Sequence, residues 1–207
     1  MNARPGARGP APSVTPEQIV DAALAEGVGR FTMPAVARRI GLSHSGIYRS
    51  FADREALVDA CLARIAEQIV WREPAADWPT FLHEYADTLW DTFTAHPGSA
   101  EALLQATAFP AAVVDWQRRA FAHLGRLGLD PGTAHAALDL VGDLVWIGVV
   151  GAERMADRVP AGGTRGEQFE QSLSLDPEQP APLWHGRAFL HRKIDLLVTG
   201  VRPAPSP

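Results

Sequence analysis

The chain has 207 residues, 46% apolar and 21% charged, enough to bury a core in one domain or two small ones and too apolar to be disordered throughout. Nineteen Lys and Arg against 24 Asp and Glu leave a net charge of -5, which excludes a polycation that coats nucleic acid by bulk charge; any such site must be local. The single cysteine, Cys61, excludes an internal disulfide and a cysteine-rich metal framework and suits a reducing, cytoplasmic compartment.

Residues 1–14 are Pro, Gly and Arg without an apolar run and read as a disordered arm, not a secretory signal. Thr15-Pro16-Glu17-Gln18 then spells a helix start, with Thr15 as N-cap, Pro16 in the first turn and Gln18 where a capping box needs it. Ile19, Ala22 and Ala23 give that helix one buried face and Gly27 ends it. A second helix runs from a Thr32 cap through Val36, Ala37 and Ile40 to Gly41, and a third from Ser43 to about Ser50. Asp53 caps a longer helix whose apolar positions Leu57, Cys61, Ile65 and Ile69 carry it to about Trp71. In that repeat Cys61 reads as a small buried hydrophobe.

After Pro74 the helices lengthen: about Pro79 to Ala95, Ser99 to Thr107, Pro110 to Leu127 and Pro131 to Ala156. No strand alternation is present, and the longest apolar run, Leu144 to Ala152, is about half of the roughly 20 residues a membrane span needs. Residues 157–182 hold seven Gly and Pro breakers and read as a flexible loop, with at most a short turn at Phe169 to Leu173. A last helix runs from Leu183 to about Val201, ahead of a Pro-rich tail.

The informative stretch is Thr32 to Tyr48. Two short helices meet at a turn where Gly41 supplies positive φ, Ala37 is small enough for a close crossing and Ile47 closes the miniature core, as a helix-turn-helix requires. Two helices of an ordinary bundle remain the alternative on this pattern alone. Residues 30–54 hold five arginines against one aspartate, a local charge of +4 on an acidic chain, so phosphates would meet a basic face. Ser43, His44, Ser45 and Gly46 at the start of the third helix are short enough to enter a groove.

Thr15 to Arg54, and above all Ala37-x3-Gly41-Leu42-Ser43-x2-Gly46-Ile47-Tyr48-x2-Phe51-x2-Arg54-Glu55-x-Leu57, resembles the DNA-binding domain of the TetR family of transcriptional regulators. In weaker form His96-Pro97-Gly98, Gly128-Leu129, Gly148 to Glu153 and Phe189-x6-Leu196-Leu197-x2-Gly200-Val201 resemble the ligand-binding domain of the tetracycline-repressor-like branch. The resemblance implies an all-α fold: a helix-turn-helix domain over 15–58 and a larger effector-binding and dimerisation domain over 59–202. It places the third helix in the major groove, with His44, Ser45 and Gly46 facing bases, Ser43 as cap, Thr32 and Tyr48 at phosphates, Arg49 and Ser50 flanking the backbone, and Arg54 as the basic residue that opens helix four. Met33-Pro34 departs from the polar or basic pair common there and puts one contact in doubt.

The larger half is rich in aromatics, which serve equally as core or as the wall of an apolar pocket. As pocket residues the sequence offers Tyr85, Leu89, Trp90, Phe93, Leu103, Phe109, Trp116 and Trp146, with Asp139 and Asp143 as polar anchors beside Tyr85. The positions that hold a magnesium chelate in tetracycline-binding members correspond here to Val70, Tyr85, Leu89, Leu103 and Ala106, without a histidine. An aromatic or hydrophobic effector is expected instead, with no metal and no cofactor. His83, His96, His123, His135, His185 and His191 make no His-x3-His pair. No nucleophile elbow, P-loop or dinucleotide fingerprint is present, so no enzymatic machinery is visible.

One recognition helix reads few base pairs, and two related by a twofold axis read a palindrome with half-sites about 34 Å apart. Ala136, Leu140, Val145 and Val149, with Phe189, Leu190, Ile194, Leu197 and Val198, form apolar faces that resemble the family's dimer interface. Together these readings describe a homodimeric repressor that binds a palindromic operator in double-stranded DNA and is released by a small-molecule effector, with no membrane partner. The alternative is a helical small-molecule-binding or enzymatic bundle with a vestigial helix-turn-helix.

Overall fold

The computed structural model describes residues 14–70, 75–106, 108–160, 162–172 and 186–200. Among them lie ten helices: α1 (Pro16–Glu26), α2 (Met33–Arg39), α3 (His44–Ile47), α4 (Arg54–Glu67), α5 (Trp78–Ala95), α6 (Ser99–Gln105), α7 (Ala111–Arg126), α8 (Pro131–Met155), α9 (Arg165–Ser172) and α10 (Arg187–Gly200). The expected all-α architecture is what the chain adopts. Local chemistry sets most of the starts. Gln18 N donates to Thr15 Oγ1 and Thr15 N to Gln18 Oε1, a reciprocal capping box. Thr32, Ser43, Asp53, Asp77 and Asp130 each accept a first-turn N–H in the same way.

One difference from the sequence reading has a clear cause. Helix α9 occupies part of the stretch expected to be loop, because Thr164 and Glu167 form a second capping box: Glu167 N donates to Thr164 Oγ1 and Thr164 N to Glu167 Oε2. A bridge between Arg158 and Thr164 closes the turn before it. The fourth helix, expected to reach about Trp71, ends at Glu67 with Gln68 as its cap; the expected arm over 1–13, the remainder of the loop over 173–182 and the start of the last helix at Leu183 lie outside the described residues.

The long helix α4 belongs to both halves of the molecule. Leu57 and Cys61 pack under α1, while Leu62, Ile65 and Ala66 continue into the larger body without a break, so the division expected at residue 58 falls inside a helix. Burial pushes the Cys61 thiol up to about 12, so it stays protonated against Val20 and behaves as a hydrophobe. The center of the larger body is α8, which packs on α5, α7, α10, α6 and α9. It is long and apolar enough to cross a membrane by length and composition, but its face of Ala134, Leu138, Val141, Val145 and Val149 is buried in the core. Gly148 lets α5 approach: a β-carbon there would lie 3.1 Å from the Trp90 ring.

Between α5 and α6, Gly98 turns with φ +81° and lies backbone to backbone on Gly29 of the α1–α2 loop; a β-carbon on Gly98 would sit 2.6 Å from Gly29 N. Two side chains brace this joint. Glu153 of α8 accepts the Gly98 N–H at 3.1 Å, and Arg54 of α4 donates to the carbonyls of Val28 and Phe31 at 3.1 and 3.3 Å while its guanidinium lies over the Phe31 ring. Gly128 has a similar φ of +92° but open space around it. Gly128→Ala is therefore expected to cost about 1–2 kcal/mol for its left-handed backbone alone. Gly98→Ala should cost clearly more, because backbone must also move. Denaturant unfolding of the two variants checks this, and equal losses would show that the joint yields freely.

Candidate DNA-binding face and effector cavity

Helices α2 and α3 are locked at an angle by Val36, Ala37 and Ile47, all buried, and by Leu42 N donating to Ala37 O at 2.9 Å across the turn where Gly41 has φ +69°. With their inner faces buried, they leave Thr32, Arg38, Ser43, His44, Ser45, Tyr48 and Arg49 exposed. His44 and Tyr48 lie ring to ring, 4.9 Å apart, and Ser43 Oγ both caps Gly46 N and meets Ser45 Oγ at 3.2 Å. Gly46 itself turns inward: it is buried, and a β-carbon there would meet Ser43 Oγ at 3.3 Å and Leu42 at 3.4 Å. Its place in the α3 turn is one of close packing, in contrast to the base-facing position expected for it.

The basic residues divide by partner. Arg39 pairs with Glu26 at 2.8 Å, and Arg54 directs its donors to the α1–α2 loop. Among the described residues Arg30, Arg38 and Arg49 are exposed and make no ion pair, so these three present uncompensated charge to solvent.

Behind this face, α4 through α8 enclose a cavity of about 480 Å³. Eight of the ten expected pocket residues line it: Tyr85, Leu89, Phe93, Leu103, Phe109, Trp116, Asp139 and Trp146. Trp90 and Asp143 do not. Trp90 is buried against Gly148, and Asp143 sits one residue round α8 from the lining face of His135, Leu138, Asp139, Gly142 and Trp146. Of the positions corresponding to the magnesium site of tetracycline binders, Tyr85, Leu89 and Leu103 line the cavity and Val70 is 71% exposed away from it.

Sequence reasoning missed the walls from α4 (Leu62, Ile65, Ala66) with Ile69 just after it, from α7 (Val113, Val114, Gln117, Phe121), and Ser99 at the start of α6. Their apolar spacing marked buried faces, but only packing shows which of them border a void. Tyr85 stacks on Trp116 at 4.5 Å and its hydroxyl donates to Gln117 Oε1 at 2.5 Å. Burial raises the Tyr85 phenol well above its ordinary value, the Gln117 hydrogen bond opposes this and the nearby Asp139 carboxylate adds to it, so the ring is a neutral donor. Phe109 and Trp146 lie with planes 7° from parallel, 6.3 Å apart.

The histidines have other work. The His83 and His191 rings lie 4.8 Å apart across α5 and α10, tilted by 50°, and bond Asp195 and Asp87 at 3.0 and 2.8 Å, beside an Arg187 that pairs with Asp87 and Asp91. His123 meets the Ala75 carbonyl at 2.9 Å. Burial lowers the His96 imidazole, leaving it neutral near pH 7 in the turn beside Gly98. No group of three metal-ligating side chains exists among the described residues.

The expected dimer faces prove to mix two helix stripes. Val145, Val149, Leu190 and Ile194 are buried inside the protomer, whereas Leu140, Ile147 and Leu196 point outward at 42, 68 and 71% exposure. The outward stripe on α8 steps 136, 140, 147; the inward one steps 134, 138, 141, 145, 149, and the sequence reading drew from both.

Comparison with known proteins agrees with the amino-terminal geometry. Residues 19–61 match the model of the bacterial regulatory proteins of the tetR family. Over 191 residues the chain is 25% identical to the HTH-type transcriptional repressor Rv1353c of Mycobacterium tuberculosis, covering 87% of this chain and 73% of that protein. An uncharacterized HTH-type transcriptional regulator of Mycobacterium bovis, Mb1388c, matches to the same extent. In three dimensions the fold is shared with the Streptomyces coelicolor TetR family protein ActR in complex with actinorhodin, at TM-score 0.70 and 20% identity over 92% of this chain and 97% of that one. It is shared also with a substituted form of TetR from Acinetobacter baumannii in complex with minocycline, at TM-score 0.65 and 19% identity over 90% and 92% of the two chains. Residues 19–61 thus form a helix-turn-helix domain of the kind found in the tetR family of bacterial regulatory proteins, and over most of its length the chain is similar to HTH-type transcriptional repressors.

Proposed function

We propose that this regulator binds a palindromic operator as a homodimer and that a small molecule in the α4–α8 cavity releases it. The observation that carries the reading is that one helix, α4, walls the cavity with Leu62, Ile65 and Ala66 and holds the α1–α2 loop with Arg54 at its other end. A ligand that displaces the wall must tilt or strain the unit bearing α3. An effector favors whichever state it binds better, and the shift is bounded by that difference in affinity. Solved relatives of the fold hold actinorhodin and minocycline, which supports a small organic effector here. The cavity's aromatic lining favors an aromatic or hydrophobic one.

On DNA, His44 and Ser45 are the side chains placed to read bases, with Thr32, Ser43, Tyr48 and Arg49 at the backbone and Arg54 positioning the loop. Phosphate contacts set register and base contacts set sequence. Two copies are needed because α3 is four residues long and reads too few base pairs alone. The outward stripe of Leu140, Ile147 and Leu196 is the apolar surface available for pairing through α8 and α10, in keeping with the depletion of charge at interface cores.

Selection of randomised duplexes by the purified protein, followed by anisotropy titration in defined salt, tests the reading: a palindrome should be enriched, and sequence-blind binding would contradict it. On the selected duplex His44→Ala should cost about 1–3 kcal/mol and relax preference at particular bases. Tyr48→Ala should weaken selected and random duplexes alike; the opposite pattern would reverse the two assignments. Replacing Ile147 and Leu196 together by Glu should convert the species seen by analytical ultracentrifugation to monomer and weaken palindrome binding by more than tenfold. A dimer that persists in this variant would place the interface elsewhere.

A further inference from the structure

Resting on the reading of α2 and α3 as the DNA-binding face, the chemistry at the head of α3 points to the base that an operator half-site must carry. At the start of α2, Met33 is buried, and Pro34, though exposed, has no donor or acceptor in its side chain. A side-chain hydrogen bond to a base is therefore not available from that pair, and readout falls to α3. There Ser43 Oγ accepts from Gly46 N at 3.2 Å and lies 3.2 Å from Ser45 Oγ, so the two hydroxyls are engaged with each other and with the cap. Gly46 is buried. His44, between the serines, is exposed, and its imidazole makes no hydrogen bond or ion pair among the described residues. The Tyr48 ring, one turn on, occupies one side of it with centroids 4.9 Å apart and planes tilted by 43°. Of the polar side chains at the head of this helix, His44 alone keeps both polar atoms available to a partner.

What an imidazole selects in the major groove follows from its valences. Neutral, it has one N–H donor and one bare nitrogen; protonated, it has two donors. The phosphates on both sides of the groove create a negative potential that favors presenting an N–H to the DNA. An N–H donor meets only acceptors at guanine, where N7 and O6 are neighbors. At adenine N7 stands beside the N6 amino donor, at cytosine the N4 amino group is itself a donor, and at thymine O4 lies beside the methyl group. We propose that His44 is the specificity-determining residue of α3 and that it donates a hydrogen bond to N7 of a guanine at one fixed position of each half-site. Arg38 and Arg49 are also exposed donors, so a guanine in the operator must be traced to His44 by a variant.

The test uses the full chain and the duplex that it selects from random sequence. Each guanine of the half-site is replaced in turn, in both half-sites together, by 7-deazaguanine, which keeps the Watson–Crick edge and O6 and lacks the N7 acceptor. One position is expected at which this lowers wild-type affinity by at least about tenfold. The same replacement should change the affinity of His44→Ala less than about twofold, since the contact is already gone. His44→Gln, which offers an amide donor and acceptor matched to adenine N7 and N6, should select adenine in place of guanine at that position. A palindrome enriched with no guanine in the half-site, tolerance of every 7-deaza replacement, a loss that persists in full in His44→Ala, or a His44→Gln selection that still returns guanine there would overturn the assignment and leave the regulator reading standing. Absence of any enriched sequence would contradict the regulator reading itself and remove the assignment with it.

Discussion

The backbone of Gly98 rests on that of Gly29 at a distance no β-carbon tolerates, and the architecture on either side follows from that approach. On one side are three short helices whose own core is small. On the other is a bundle built around α8. The joint is main chain on main chain, braced by Glu153 from α8 and Arg54 from α4. Close-packed contacts of this kind do not deform smoothly, so small displacements in one half are passed to the other as rigid movements.

Helix α4 makes the same connection a second time. Its amino-terminal half is core to the helix-turn-helix, its carboxy-terminal half is wall to the cavity, and no break intervenes. The molecule thus places an apolar void against a helix that also packs on α1 and holds the α1–α2 loop. A protein interior is normally packed without voids of this size. Leaving about 480 Å³ open beside such a helix is understandable as the space for an effector.

Much of the fold was legible because helix boundaries are written locally. Thr15, Thr32, Ser43, Asp53 and Asp130 announce their helices by side-chain chemistry that needs no tertiary context. The same signal was present at Thr164-x-x-Glu167 but was outweighed by surrounding Gly and Pro, and α9 was missed. Face assignments were less secure, because a helix with apolar residues on most sides has several self-consistent stripes. That ambiguity merged the inner and outer faces of α8 and put Asp143 beside Asp139 in the expected pocket. Arg54 illustrates a second limit: the resemblance set it among the DNA-binding residues as the basic residue that opens helix four, while its carbonyl partners at Val28 and Phe31 are distant in sequence. That Ser99 Oγ and Trp146 Nε1 are buried without a hydrogen-bond partner among the described residues was illegible altogether, since a missing partner is a property of packing and no residue pattern encodes it.

On the proposed function, filling the cavity opposes DNA binding through α4 and the Gly98 joint. Gly142 lines the cavity, and a β-carbon on it would meet nothing within 4 Å, so Gly142→Trp places an indole in the void without touching the DNA face. The affinity of this variant for the selected duplex, measured beside wild type at the same salt, is the most direct test. A loss of at least tenfold is expected, with the helical content and oligomeric state unchanged. Undiminished affinity in a variant that no longer admits small aromatic probes would contradict it.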